Sequence, residues 1–337
     1  MHRHDRSPRP PGTVTERGVR MRAFLAADQR FLGLDDRQAD PDESEIIVLP
    51  VPFERTSSFG TGSAAGPEAI LRASREVELY DTELGCEPWA AAGGIATLEP
   101  LTLEPGDDGS AVMESVDRVV SYWRERRKVV VTIAGEHTGV VGAIRAHMRS
   151  SAEVTVLQLD AHSDLRESYM GDRWNHACTM ARVLEFHDDI VQVGIRSESL
   201  EDRSLAYSRG VRVFRASKIL DDSDRGVDWI AAVLDACAER VYVTFDCDVI
   251  DPAVLPATGT PEPGGLSWRQ INALLDRLCR ARRVIGFDVS ELAPLHGCNH
   301  PQFTIAKLIA RFTGWIGAAA SRPSIRSAIA DDGDGSR

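Results

Sequence analysis

The chain has 337 residues with 39 Lys and Arg against 51 Asp and Glu, a formal net charge of −12. That balance argues against a broad nucleic-acid surface, because phosphate binding draws on clustered cations. No apolar run reaches the roughly 18 residues of a membrane span, whereas 43% hydrophobic residues at this length support a substantial core. In chain order, residues 1–44 read as an N-terminal extension, disordered in part. Its first 22 residues are rich in Arg and Pro and lack the apolar stretch of a secretory signal, and Asp28–Glu45 reads as an acidic, solvated lead-in. Short apolar runs at Ile46–Leu49, Val129–Ile133, Val154–Leu159, Ile190–Val193, Val211–Phe214, Val241–Phe245 and Val284–Val289 suit strands buried on both faces. Pro67–Leu79, Gly109–Arg127, Gly139–Met148, His176–Glu185, Val227–Ala238 and Ser267–Arg280 read as the helices between them. No linker or repeat interrupts this alternation. The expectation is one catalytic domain, residues 45–315, built as a three-layer α/β sandwich around a mainly parallel sheet, then a polar tail at 316–337.

Six cysteines without a C-x-x-C pair read as free thiols of a reducing cytoplasm. His296, Cys298 and His300 alternate in a loop, which does not impose a tetrahedral zinc site.

Ligands of parallel α/β sheets gather at the carboxyl ends of strands. There the sequence places Ala134-Gly-Glu-His137-Thr, Asp160-Ala-His162-Ser-Asp164, Asp246-Cys-Asp248 and Ser290-Glu291. Taken singly, a strand-end His is usually a core or loop residue and a strand-end Asp a helix cap. Asp251-Pro252 reads that way, as the start of a turn. Together they say more. Alternate residues of an extended segment share a side, so Asp160, His162 and Asp164 converge, and Asp246 and Asp248 repeat the pattern with Cys247 turned into the core. Four crowded carboxylates resist ionisation unless cations neutralise them. Two divalent ions relieve that conflict, and carboxylate with imidazole but no thiolate favours Mn²⁺ or a similar harder ion over structural zinc.

These four motifs, in this order, resemble the ureohydrolase family of arginases and agmatinases. Weaker likeness at Ser57–Pro67 and Pro256–Gly265 extends the match over residues 45–315. The resemblance implies an arginase-like fold with two Mn²⁺ ions per subunit. His137 and Asp164 would bind one ion, His162 and Asp248 the other, with Asp160 and Asp246 reaching both. It implies attack by a metal-bridging hydroxide oriented by Asp164, proton relay by His176, and a Glu291 carboxylate paired with the substrate guanidinium, giving urea and an amine. It also implies a cytoplasmic homo-oligomer, a trimer or hexamer, acting on a small guanidino molecule without nucleic acid or membrane.

Details favour the agmatinase branch, with agmatine converted to putrescine and urea. Leu165-Arg166 follows Asp164 where arginases carry an Asn-containing run, and this continuation with Tyr169, Gly171 and the His176-Ala-Cys spacing looks more like agmatinases. Ala134 for a Gly and Asn175 where many relatives have Ser are departures from the family pattern, the first expected to matter little. Glu167 or Asp172 is expected to meet the far amine of agmatine. Arg166, if it faces the pocket, favours a guanidino acid such as guanidinobutyrate. His147, His187 and His296 read as structural or exposed. Two rivals are a non-catalytic regulatory member, disfavoured by the intact ligand set, and a deacetylase on a related fold.

Overall fold

The computed structural model describes residues 15–16, 19–20, 25–149 and 153–320. Eight strands form its main sheet: β1 (Ile46–Val51), β2 (Ile95–Thr97), β3 (Val129–Ala134), β4 (Val154–Leu159), β5 (Ile190–Ile195), β6 (Arg212–Arg215), β7 (Arg240–Asp246) and β8 (Arg283–Ser290). Their order is β2-β1-β3-β8-β7-β4-β5-β6, and every pairing in it is parallel. Burial explains the apolar runs: β1, β4 and β5 are buried at every position.

Alternate strand residues feed two cores, as a period of two requires. Val48, Val131, Leu157, Val243 and Phe287 pack on one face under α1 (Gly66–Ser74), α8 (Trp229–Asp235), α9 (Trp268–Ala281) and α10 (His300–Ala320). Ile47, Val130, Val156 and Tyr242 pack on the other under α3 (Gly109–Glu125), α4 (Val141–Met148) and α5 (Thr179–Val183). Short α2 (Pro88–Ala91) lies against α10, α7 (Ala216–Asp224) packs on β5 and β6, and α6 (Leu200–Arg209) connects those two strands. The expected three-layer sandwich is therefore present. Side-chain caps start several helices: Asp108 accepts from Ala111 N, and Ser199–Asp202 and Ser267–Gln270 form reciprocal boxes at α6 and α9.

Four features depart from the sequence reading. β2 is only three residues long, too short for a periodic signal. The polar helices α6 and α7 lay unread between strands. α10 was also missed, because its 21 residues bury most of their circumference and show no clean stripe; it continues through Ala320, past the boundary expected at 315. The lead-in Asp28–Glu45 is not simply solvated. Phe31, Leu32 and Leu34 are buried, with Phe31 N donating to Thr97 Oγ1 and Leu32 N to Ser74 Oγ. Its acids stay outside while Phe31, Leu32, Leu34 and Ala39 between them anchor it. The Arg/Pro-rich start and residues 321–337 lie largely outside the described residues. No described helix is long and apolar enough to cross a membrane.

Strand order positions the site. β3, β8, β7 and β4 are neighbours, so four motifs scattered between residues 137 and 291 end side by side. Register aligns them too: Ser290 pairs with Asp246, and Leu159, one residue before Asp160, pairs with Phe245.

Candidate metal centre

All six expected ligands meet at that end of the sheet. His137 Nδ1 lies 2.9 Å from Asp164 Oδ2, 3.3 Å from Asp160 Oδ2 and 3.7 Å from Asp246 Oδ2. His162 Nδ1 lies 2.8 Å from Asp248 Oδ2 and 3.8 Å from Asp160 Oδ1. Two groups have donor atoms close enough to share an ion: His137, Asp160 and Asp246, and Asp160, His162 and Asp248. Asp160 belongs to both, consistent with a carboxylate reaching two ions.

Local structure holds each group. Gln158 Nε2 donates to Asp160 Oδ2, Ala161 N to Asp248 Oδ1, and Asp248 N to Asp246 Oδ1. Asp164 and Glu291 have left-handed backbones, φ 53° and 64°, which turn the chain sharply after β4 and β8. For Glu291 that is a strained conformation of the kind stored at functional sites. Gly135 is required where it stands, since a Cβ would sit 2.2 Å from Phe53 O. Cys247 is fully buried in the core, as expected for the residue between the two Asp.

The electrostatics show a cluster that is unsatisfied alone. Burial, then Asp248 and Asp164, push Asp160 up to about 7; burial, Asp248, Asp160 and Glu291 push Asp246 well above the carboxylate range. Burial works against both imidazolium ions, yet Asp248 lifts His162 to about 10, and Asp160 and Asp164 hold His137 above its usual value. Against the same burial, His162 keeps Asp248 low. Protons are doing what cations do better.

The histidine donors also fit a metal. Thr244 Oγ1 donates to Asp288 Oδ1 at 2.8 Å, and a hydroxyl has only one hydrogen. Its 2.9 Å contact with His137 Nε2 must therefore be Nε2–H donating to Thr244. Without an ion Asp160 and Asp164 favour the protonated ring; when that proton leaves, Nδ1 is the nitrogen left bare, on the side where an ion would sit. Asp288 Oδ2 accepts from Tyr242 OH at 2.9 Å.

A family model described as the arginase family matches residues 44–314. The chain belongs to the arginase family. It is accordingly a hydrolase of C–N bonds in linear amidines. The N(1)-aminopropylagmatine ureohydrolase of Synechocystis sp. is 38% identical over 299 residues, 87% of this chain and 96% of that protein. An agmatinase of Pyrococcus horikoshii is 31% identical, with 85% and 97% covered. The crystal structure of an agmatine ureohydrolase from Thermoplasma volcanium superposes with a TM-score of 0.74 at 33% identity, covering 83% of this chain and 92% of that one.

In this arginase-family chain the cluster floors a cavity of about 270 Å³ that is also lined by Glu291, His176, Arg166, Tyr169, Glu198, Asp202 and Glu262. Glu291 and His176 both line this cavity. Glu291 takes His137 N–H on Oε1 at 2.7 Å, and burial and then Glu136 raise it well above the usual range. His176 opens a short helical turn that Asn175 caps by accepting from Ala177 N.

Glu167 and Asp172, expected at the far amine, are not in the cavity wall. Glu167 pairs with Arg173 and Arg182, and Asp172 accepts from Trp174 N. Their places are taken by Glu198, Asp202 and Glu262, from the segments after β5 and β7, which sequence proximity to the motifs did not suggest. Arg166 does line the cavity, but it stacks on Tyr169 with 4.3 Å to the ring centroid, and its Nε is 3.9 Å from Asp202. Thr244 and Asp288 were also overlooked, although an Asp inside the apolar run Val284–Val289, and a Thr two residues before Asp246 on the same strand face, were legible signals. The other histidines behave as expected: His147 is buried with Nδ1 on Ala143 O, and His296 is exposed. Near His296, His300 Nε2 bonds Val254 O and its Nδ1 lies 3.4 Å from Cys298 Sγ. Asp251 does start a turn, accepting from Ala253, Gly264 and Gly265.

Proposed function

We propose that this chain is a binuclear manganese ureohydrolase of agmatine-type amines, and that its preferred substrate is an agmatine bearing a further aminopropyl group rather than agmatine itself. The observation that carries the reading is one cavity with the buried Asp/His cluster and Glu291 at its floor and further acids on its wall. The names of its relatives support the longer amine. His137, Asp160, His162, Asp164, Asp246 and Asp248 would hold the ions, and mixed oxygen and imidazole donors suit Mn²⁺. Bound there, the pair would lower the pKa of water so that a nucleophile exists near neutral pH.

The chain's own residues do the rest. Glu291 receives the guanidinium and orients its carbon over the cluster, and the substrate cation in turn favours the ionised carboxylate. Asp164 accepts a hydrogen bond that orients the attacking water. His176 carries a proton at Nε2 to the departing amine, which otherwise leaves as an unstable anion. Arg166 is engaged by Tyr169 and Asp202, so a guanidino acid would have to win it from a carboxylate already in place. Glu262, its backbone oxygen held by Arg196, is the wall acid offered to the outer ammonium of the substrate.

The catalytic unit comprises residues 45–320, through the end of α10, with the lead-in from residue 25 as a buttress, and a cytoplasmic homo-oligomer is the expected state. The test is urea release by Mn²⁺-loaded protein from agmatine, N(1)-aminopropylagmatine, guanidinobutyrate and arginine. The aminopropyl compound should show the highest kcat/KM, and E291Q should lose at least about 100-fold on it. Silence on every substrate would favour a non-catalytic role. A preference for guanidinobutyrate would overturn the assignment of Arg166. Deacetylation of an acetylated amine that survives E291Q would point to the other chemistry.

A further inference from the structure

His176 is held by a hydroxyl whose hydrogen-bonding capacity is completely used. Thr56 lies in the loop after β1, and Glu136 is the fully buried residue between Gly135 and His137. Glu136 Oε2 accepts the backbone N–H groups of Arg55 and Thr56, both at 2.7 Å, and Oε1 lies 3.1 Å from Thr56 Oγ1. Thr56 Oγ1 also accepts from His176 N at 3.0 Å and lies 3.1 Å from His176 Nδ1.

A hydroxyl has one hydrogen and two lone pairs. The hydrogen goes to Glu136, the only partner of the three that is a carboxylate. One lone pair takes the His176 backbone N–H. The other is left for the ring, so Nδ1 must carry hydrogen and donate it.

We infer that Thr56 and Glu136 are positioning residues that fix the tautomer of His176, Nδ1–H with Nε2 bare, and so leave the cavity-side nitrogen free to take up and release the proton. Tyr169 adds packing, edge to face with the His176 ring at 6.3 Å between centroids. The arrangement mirrors the Thr244–Asp288 pair behind His137: in each case a threonine backed by a carboxylate decides which imidazole nitrogen is available. The functional half of the inference rests on the reading of His176 as the proton relay, whereas the tautomer itself does not.

The test is long-range ¹H–¹⁵N NMR of full-length, histidine-labelled protein, metal-free and loaded with diamagnetic Mg²⁺, with H176N identifying the signal. At a pH where the ring is neutral, Nδ1 should give the protonated-nitrogen resonance and Nε2 the unprotonated one. T56V should mix the tautomers and lower kcat about 10- to 100-fold with KM changed less than about twofold, and T56S should restore both. An Nε2–H tautomer in the wild-type protein would overturn the inference, as would a T56V protein that keeps the wild-type tautomer and kcat. If T56V fails to fold, the wild-type and T56S spectra still decide. Wild-type protein that releases no urea but shows the Nδ1–H tautomer would sink the proposed function and leave the assignment standing.

Discussion

Replacing Thr244 with Val removes one oxygen from the buried chain Tyr242–Asp288–Thr244–His137 and changes the volume little. Two hydrogen bonds are lost, at 2.8 and 2.9 Å. Asp288 is fully buried, and burial already raises it to about 6 even though Thr244 and Tyr242 donate to it. Losing one donor to a buried charged group costs about 1.5–3 kcal/mol, and the orphaned Nε2–H of His137 adds about 1 kcal/mol. Part of that loss falls on folding and part on the metal, because His137 no longer has a partner that keeps Nδ1 bare. Second-shell losses of this kind weaken metal binding about 10- to 100-fold. The assays are chelator competition for Mn²⁺ and urea denaturation of the metal-free protein, on T244V and on T244S as the control that keeps the hydroxyl. Expected are weaker Mn²⁺ binding and a destabilisation of about 2–4 kcal/mol in T244V, and near wild-type values in T244S. Mn²⁺ affinity within twofold of wild type in T244V would refute the claim that Thr244 sets the ligand tautomer.

Three further outcomes follow from other contacts. H176A should bind Mn²⁺ as wild type does while kcat falls about 10²- to 10⁴-fold, and full activity would remove the relay. E262Q should raise KM for the aminopropyl substrate about tenfold, the size of one charge-assisted hydrogen bond, and leave agmatine nearly unaffected; equal effects on both would show that Glu262 does not meet the outer ammonium. D81N should destabilise the fold at pH 7. Although burial opposes it, Lys307 and Arg311 on α10 hold Asp81 down at about 2 from 3.8, worth about 2 kcal/mol. Because the folded value is the lower one, this stability is present above pH 3.8 and is lost as pH falls through 2. The gap between D81N and wild type in urea denaturation should therefore close on acidification through that window, and a constant gap would mean that the charge is not its source.

Strand-end chemistry was legible because it is local. Asp160, His162 and Asp164 sit on one short segment, and a carboxylate cluster next to apolar runs has few other uses. The alternation of buried runs with amphipathic stretches likewise announced a parallel sheet, since strands covered on both faces have no polar side to show. Features with no local period stayed hidden: β2 is too short, α10 is buried on too many sides, and Phe31 and Leu34 are single anchors among acids.

By itself, then, the sequence determined which side chains can carry the chemistry and that they lie at strand ends, because residue type and spacing are properties of the chain alone. Tertiary structure decided the company they keep. Only the order β3-β8-β7-β4 puts His137, Glu291, Asp246 and Asp160 side by side, and only folded loops reveal that Glu198, Asp202 and Glu262, not Glu167 and Asp172, line the cavity. The same holds for protons. Which nitrogen of His137 or His176 is bare depends on a threonine and a carboxylate brought up from other strands and loops, and hydrogen-bond saturation at one oxygen is a fact of three dimensions.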